Sequence, residues 1–491
     1  MLGLAAGAAA GGTAVAGLSG CGIGTVTRTV LGGRPAGVPA APAVSGTPTL
    51  AFRSRPDLTP PEVTVHAAVA GLQPGYVFLT AATGSMMIMD NAGQPVWYRD
   101  TGTSRAMNFQ VQQYQGAPVL TWWEGTITVP DGYVIMDQGY NELHRFSPGN
   151  GLSGDLHECR LTAAGTALVT AYQLVTKDLT AFGGTARSTM MDCVVQEVDP
   201  ASGEVAFQWR ASDHIPLSET RFSYTTAQDF DPFHINSIAE EDDDTLVVSA
   251  RDTWTVYRIN RSTGAIVDRL GGSGNQYRQG SGAGFSWQHH AVPHPGGTVT
   301  VFDNASNGTD HQESQSRALL LAVDTDARTS SLVKAYTHPT AALSAGSQGS
   351  VQPLENGNVF VGWGGEPYAS EFSVDGTLLF DASFSPEATS YRAFRQTWSA
   401  RPAAAPTLVA SRNGSGQVVA YVSWNGATEV RAWQLLVGSD TGSDSDLQAV
   451  TTTARTGFET TITATAAGTA CAVLALDAKG MILSQSATVR L

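Results

Sequence analysis

Apolar residues along this chain fall in short runs of strand length broken by tight turns, and one unit recurs six times between about residues 61 and 400. Each unit carries a Gly-, Asn- or Asp-bearing turn, an apolar run, and a second run ending on Asp or Asn. The first runs open at Tyr76-Val77-Phe78-Leu79, Ala117-Pro118-Val119-Leu120, Thr166-Ala167-Leu168-Val169, Thr245-Leu246-Val247-Val248, Thr298-Val299-Thr300-Val301 and Asn358-Val359-Phe360-Val361. The second runs close at Met89-Asp90, Met136-Asp137, Val198-Asp199, Ile259-Asn260, Val323-Asp324 and Val374-Asp375. No long amphipathic helix interrupts the series. Antiparallel units repeated around an axis lose their exposed sheet edges when the ring closes. The pattern therefore predicts an all-β fold with a six-bladed β-propeller over 61–400; an irregular stack of sandwiches is the alternative. After Arg401-Pro402-Ala403-Ala404-Ala405-Pro406 the repeat stops. Runs such as Val418–Trp424 and Arg431–Leu435 then predict a small immunoglobulin- or fibronectin-III-like β-sandwich over 401–491.

The N-terminus has neither pattern. Residues 1–21 are almost wholly small and apolar and close on Leu18-Ser19-Gly20-Cys21, which resembles the lipobox of bacterial lipoproteins, although no Lys or Arg precedes Cys21. That resemblance implies export, a lipid on Cys21 and a cell-surface protein anchored to the outer face of the cytoplasmic membrane, or a secreted one; an Ala/Gly tail is the alternative. Residues 22–60, rich in Pro, Gly, Ala and Thr, read as a flexible tether.

A formal charge of −15 argues against a nucleic-acid partner, which needs a basic footprint. The remaining cysteines, Cys159, Cys193 and Cys471, have no paired spacing, so zinc and thioredoxin-type chemistry are unsupported. Cys159 and Cys193 could form a disulfide or remain buried thiols.

Histidine carries the candidate chemistry. His157, His234 and His289 fall at matching places, ten to twelve residues ahead of Leu168, Leu246 and Val299. At the starts of innermost strands they would converge on the ring axis. Antiparallel pairing about a turn at Asp242-Asp243 sets Arg251 across from His234, with Asn236 on the same face, and a turn at Gly296 sets Asp303 and Asn304 opposite His289. A guanidinium, an amide and imidazoles at one mouth suit an oxyanion beside a nitrogen nucleophile. Three histidines could instead bind zinc, but Arg251 would repel it, so no metal is expected. The acidic run Glu240–Asp244 reads as a solvated turn, and Trp122-Trp123 as either packing or the wall of an aryl site.

At these residues the chain resembles the bacterial arylsulfotransferases, especially their actinobacterial and fungal-like branch. The matching pieces are Asp231-Pro232-Phe233-His234-Ile235-Asn236-Ser237, Ser249-Ala250-Arg251 and Trp287-Gln288-His289-His290-Ala291. Similar too are His157–Thr162, Phe302-Asp303-Asn304 and Ser390–Arg395. One departure stands in the third piece, where the family pattern reads Gln-His-Asp-Ala and this chain has His290 for the acid. The resemblance implies a six-bladed propeller that passes a sulfuryl group between phenols through a sulfohistidine, without the nucleotide donor PAPS or any other cofactor. Carried across, His289 is the nucleophile. His234, Asn236, Arg251 and Asn304 bind substrate, and His157 or His234 handles the phenol proton. His290 faces away from His289, since neighbouring strand residues point to opposite sides. The competing expectations are a non-catalytic, lipid-anchored propeller that binds glycans or partners, and a quinoprotein dehydrogenase, which would need axial carboxylates rather than His, Asn and Arg.

Overall fold

The computed structural model describes residues 48–491 apart from 82–83, 103, 127–129, 227–228, 243, 386–387 and 440–445. Cys21 and the lipobox-like segment lie outside the described residues. The chain is nearly all-β, and among the described residues six antiparallel meanders follow one another. Each runs from an inner strand outward. The second sheet comprises Arg105–Tyr114, Ala117–Gly125, Pro130–Met136 and Glu142–Phe146, and the third Gly154–Leu161, Ala167–Lys177, Ser188–Val198 and Val205–Arg210. The fourth runs Ile235–Glu240, Thr245–Ala250, Thr255–Asn260 and Ile266–Gly271, and the fifth begins at His289–His294 and Thr298–Asp303. The sixth begins at Ser350–Pro353 and gains Val63–Ala68 as an outermost strand against Leu378–Phe384. The first sheet takes its inner strand from the far end of the repeat: Ala393–Gln396 pairs with Tyr76–Thr80.

The two apolar runs legible in each repeat are thus the second and third strands of a sheet. The inner strand precedes the turn and the outer one follows the acidic residue. Second strands read as unbroken apolar runs because both faces are buried. Leu246 and Val248 pack toward the third sheet, while Val247 packs toward the fifth. A hydrophobic core fills the gap between each sheet and the next. The core between sixth and first joins Phe360, Phe380 and Phe384 to Val77, Leu79 and Met87, so the series closes into a propeller-like ring. Burying one such side chain stabilises by about 1.5–3 kcal/mol, and closure gives every sheet of the ring a neighbour on both faces.

One expectation needs correction, and two open alternatives are decided. The tether does not extend to residue 60, because from Pro48 the chain packs: Thr49 bridges Pro61, Leu58 is buried in the core between sixth and first sheets, and Ser54 Oγ donates to Glu459 Oε2 at 2.6 Å. Trp122 and Trp123 are buried in the cores on either side of the second sheet, so they are packing and not a substrate wall. Cys159, Cys193 and Cys471 are buried free thiols. Beyond the ring, residues 407–491 form a three-stranded and a larger antiparallel sheet around Trp424, Trp433 and Leu435. This unit docks on the first sheet, where Asn425 bonds both the N–H and the carbonyl of Tyr98 at 2.9 and 2.8 Å.

Candidate active site

The inner strands begin at one end of the ring, and the residues at their starts meet there. His157 lies near the start of its strand, while His234, His289 and Gln348 lie at or just before the starts of theirs. The backbone at these points is unusual: Asn108, His234, His290 and Gln348 all adopt positive φ, between 49° and 68°. Side chains other than Gly rarely sit there, at a cost of about 1 kcal/mol or more each. The turn lets a side chain leave the strand and enter the axial space.

His157 and His234 meet edge to face, with ring centroids 4.9 Å apart. Each is backed by a carboxylate: His157 Nδ1 lies 2.7 Å from Asp155 Oδ2, and His234 Nδ1 lies 2.6 Å from Asp231 Oδ2. An ionised carboxylate only accepts, so both Nδ1 atoms carry hydrogen and the Nε2 atoms face inward. Burial pushes the Asp155 pKa upward, yet the neighbouring His157 and the hydrogen bonds from it and Thr170 bring it below the ordinary value.

Arg251 sits opposite His234 as the spacing predicts, its N–H donating to the His234 carbonyl at 3.0 Å. Its guanidinium donates to Asp252 Oδ1 at 2.6 Å and to the Gly346 carbonyl at 3.2 Å. Burial raises the Asp252 pKa while the charge of Arg251 opposes the rise. Asp231, His234 and Asp252 offer ligand atoms within 4.8 Å of one another. The guanidinium already holding Asp252 makes that trio a poor fit for a cation.

His289 differs from the other two. Its Nδ1–H donates to an amide oxygen, Asn304 Oδ1, at 2.7 Å, and its Nε2 accepts the Gln348 N–H at 3.1 Å. Burial first, then the charge of Arg251, holds its pKa well below 6.5. This imidazole is neutral at pH 7 with its lone pair on Nε2.

Two pairings differ from the hairpin expectation. A bulge between His289 and Val292 pairs His289 with Phe302, not with Asp303 or Asn304. Asp303 turns away to Arg317, whereas Asn304 reaches His289 from just beyond its strand. Both Asn304 amide hydrogens are taken by the Ala345 and Gln348 carbonyls, so Asn304 orients His289 and has no donor left for substrate. Asn236 sits in another bulge, between the Ile235 and Ser237 pairings, and donates to the Gln288 carbonyl at 2.7 Å. It therefore ties the fourth sheet to the strand bearing His289. His290 accepts the Val351 N–H and packs edge-on against Phe394, away from the cluster.

The sequence reading gave no role to Asp155, Asp231 and Gln288. The spacings Asp155-x-His157 and Asp231-x-x-His234 carry the first two. The Gln288 amide, bonded to Ser249 Oγ and to the Ala250 and Thr255 carbonyls, shows only in three dimensions. Buried polar atoms left without a partner gather here: His234 Nε2, Asn236 Oδ1, Arg251 Nε and Gln288 Oε1. Each costs about 1–3 kcal/mol if nothing satisfies it, which marks a place built for a polar ligand.

Residues 110–385 match the arylsulfotransferase (ASST) family. The chain belongs to the arylsulfotransferase family. Membership supports an aryl sulfotransferase activity on small aryl substrates in general terms. No curated protein matches the sequence. Among solved structures, a protein of unknown function from Bacteroides caccae is 12% identical, with a TM-score of 0.40 over 65% of this chain and 98% of that one. A streptogramin B lyase is 9% identical, with a TM-score of 0.36 over 73% and 94%. The virginiamycin B lyase of Staphylococcus aureus is 8% identical, with a TM-score of 0.33 over 65% and 88%. Likenesses this slight bear on neither substrate nor mechanism.

Proposed function

We propose that this arylsulfotransferase moves a sulfuryl group from an aryl sulfate to a phenol in two half-reactions, through a sulfohistidine at His289 and without PAPS. The observation that carries the reading is the contrast among the three imidazoles. His289 is backed by a neutral amide beside Arg251 and stays uncharged, as a nucleophile must. His157 and His234 are backed by carboxylates, which favour a ring that takes up and returns a proton.

In the first half-reaction the His289 Nε2 lone pair attacks sulfur and an N–S bond forms. The S–O bond to the aryl oxygen breaks, and its electron pair leaves on that oxygen, which takes a proton from His234 or His157. In the second half-reaction the acceptor phenol returns a proton to the same imidazole as its oxygen attacks sulfur; the new S–O bond forms, the N–S bond breaks, and its electron pair returns to His289 Nε2 as the lone pair. Arg251, with an unpartnered Nε, matches the single negative charge of the sulfuryl group and stabilises the charge that develops. The Gln348 N–H must leave Nε2 before attack, so the segment around Gln348 shifts as substrate enters.

The same reading takes the six sheets as the blades of a six-bladed propeller of the actinobacterial and fungal-like branch. It takes 401–491 as an immunoglobulin- or fibronectin-III-like appendage, and the protein as exported and lipid-anchored at Cys21. Incubation with 4-nitrophenyl sulfate alone should release about one nitrophenolate per protein and leave a sulfuryl adduct seen by intact mass. Adding phenol should then restore turnover. Release that occurs only with phenol present would rule out the two-step route.

A further inference from the structure

Past the histidine cluster, the same inner strands line a polar, partly open cavity of about 260 Å³. Its wall includes Gln110, Glu158, Arg160, His290, Arg392 and Gln396. Glu158 and Arg392, both almost fully buried, separate it from the histidine cluster and pair at 3.0 Å, so together they are neutral. Arg160 is different. Arg251, Arg392 and Arg395 each have a carboxylate partner, but among the described residues no carboxylate pairs with Arg160. His290 adds no negative charge. Its Nδ1 accepts the Val351 N–H at 3.2 Å, which leaves the hydrogen of the neutral ring on Nε2. Burial, then the charges of Arg392 and Arg160, holds it in the neutral form. The wall thus carries one uncompensated positive charge, an imidazole N–H and side-chain amides. The volume, at about 30 Å³ per water, admits a four-oxygen anion with several waters.

We infer that this cavity binds a small oxyanion of the carboxylate, sulfate or phosphate class, held by Arg160 and the His290 Nε2–H and separate from the His289 site. Arg160 supplies the charge and a planar set of donors, and His290 supplies a donor without charge. A carboxylate at position 290 would cancel Arg160 and close the site to anions, which makes His290→Asp a direct probe.

Calorimetric titration of the full chain with sulfate, phosphate and acetate tests this, with chloride holding ionic strength constant. Wild type should bind at least one of the three at a single site. Preference for sulfate or phosphate assigns a tetrahedral ligand, and preference for acetate a carboxylate. Arg160→Gln and His290→Asp should each weaken binding at least tenfold. Arg160→Lys should lose less than Arg160→Gln, and Arg251→Gln should change it less than twofold. If Arg160→Gln does not fold, His290→Asp and the milder His290→Gln, which keeps a donor, carry the comparison. Binding abolished by Arg251→Gln but untouched by Arg160→Gln places the anion at the histidine cluster and overturns the inference. So does the absence of saturable binding by all three anions.

Discussion

Backing atoms distinguish the three histidines: carboxylates stand behind His157 and His234, an amide oxygen behind His289. A carboxylate behind Nδ1 makes a ring more basic, whereas an amide oxygen fixes its tautomer and leaves it neutral. Asp231→Asn should therefore lower turnover by about 10²-fold or more and shift the pH–rate profile, with substrate affinity changing less. An unchanged profile would reduce Asp231 to a structural role. His289→Ala should abolish both the burst of phenol release and the sulfuryl adduct, whereas His290→Ala should keep the adduct. An adduct lost only in His290→Ala would move the nucleophile by one residue. Arg251→Lys should slow transfer markedly, because an ammonium lacks the planar fork of donors.

At the level of elements, bulges and left-handed residues at the inner-strand starts aim the chemistry. One strand from the far end of the repeat closes the ring. Ala393–Gln396 is the inner strand of the first sheet, so a chain ending at Ser390 leaves Tyr76–Thr80 as an open apolar edge and should aggregate. A chain ending at Pro402 keeps all six sheets. It loses Phe458 from the core between sixth and first sheets and the Asn425 bonds to Tyr98. It should stay folded and melt cooperatively at a lower temperature than the full chain. Loss of the cooperative transition would show that 403–491 completes the ring's core.

For the molecule as a whole, burying neutral histidines ties stability to pH. His289 and His290 lie well below their ordinary 6.5 and His294 falls to about 4, in each case through burial first. Below pH 6.5 the unfolded chain takes up protons that the folded one refuses, so this share of stability is full above 6.5 and lost as pH falls. Each of the two buried rings, His289 and His290, adds to that loss. The melting temperature should fall between pH 7 and 5, and His290→Gln should flatten part of the fall. A variant with the slope of wild type would refute the assignment.

The sequence by itself determined what depends on neighbours along the chain. Alternating apolar runs and Gly turns marked second and third strands, because both faces of those strands are buried whatever the ring's size. Hairpin spacing set Arg251 across from His234, since antiparallel pairing counts outward from its turn. The motifs around His234 and His289 carried the family. Only the tertiary structure decided the rest. One extra residue at a bulge, invisible in composition, moved His289 onto Phe302 and freed Asn304 to orient it rather than bind substrate. Segments far apart in sequence became neighbours, Val63–Ala68 beside Leu378–Phe384 and Ala393–Gln396 beside Tyr76–Thr80, because open sheet edges are costly. The Trp122-Trp123 pair went to cores because the gaps between sheets need large apolar side chains. The contrast between neutral and carboxylate-backed imidazoles arose from contacts that exist only once the ring is closed.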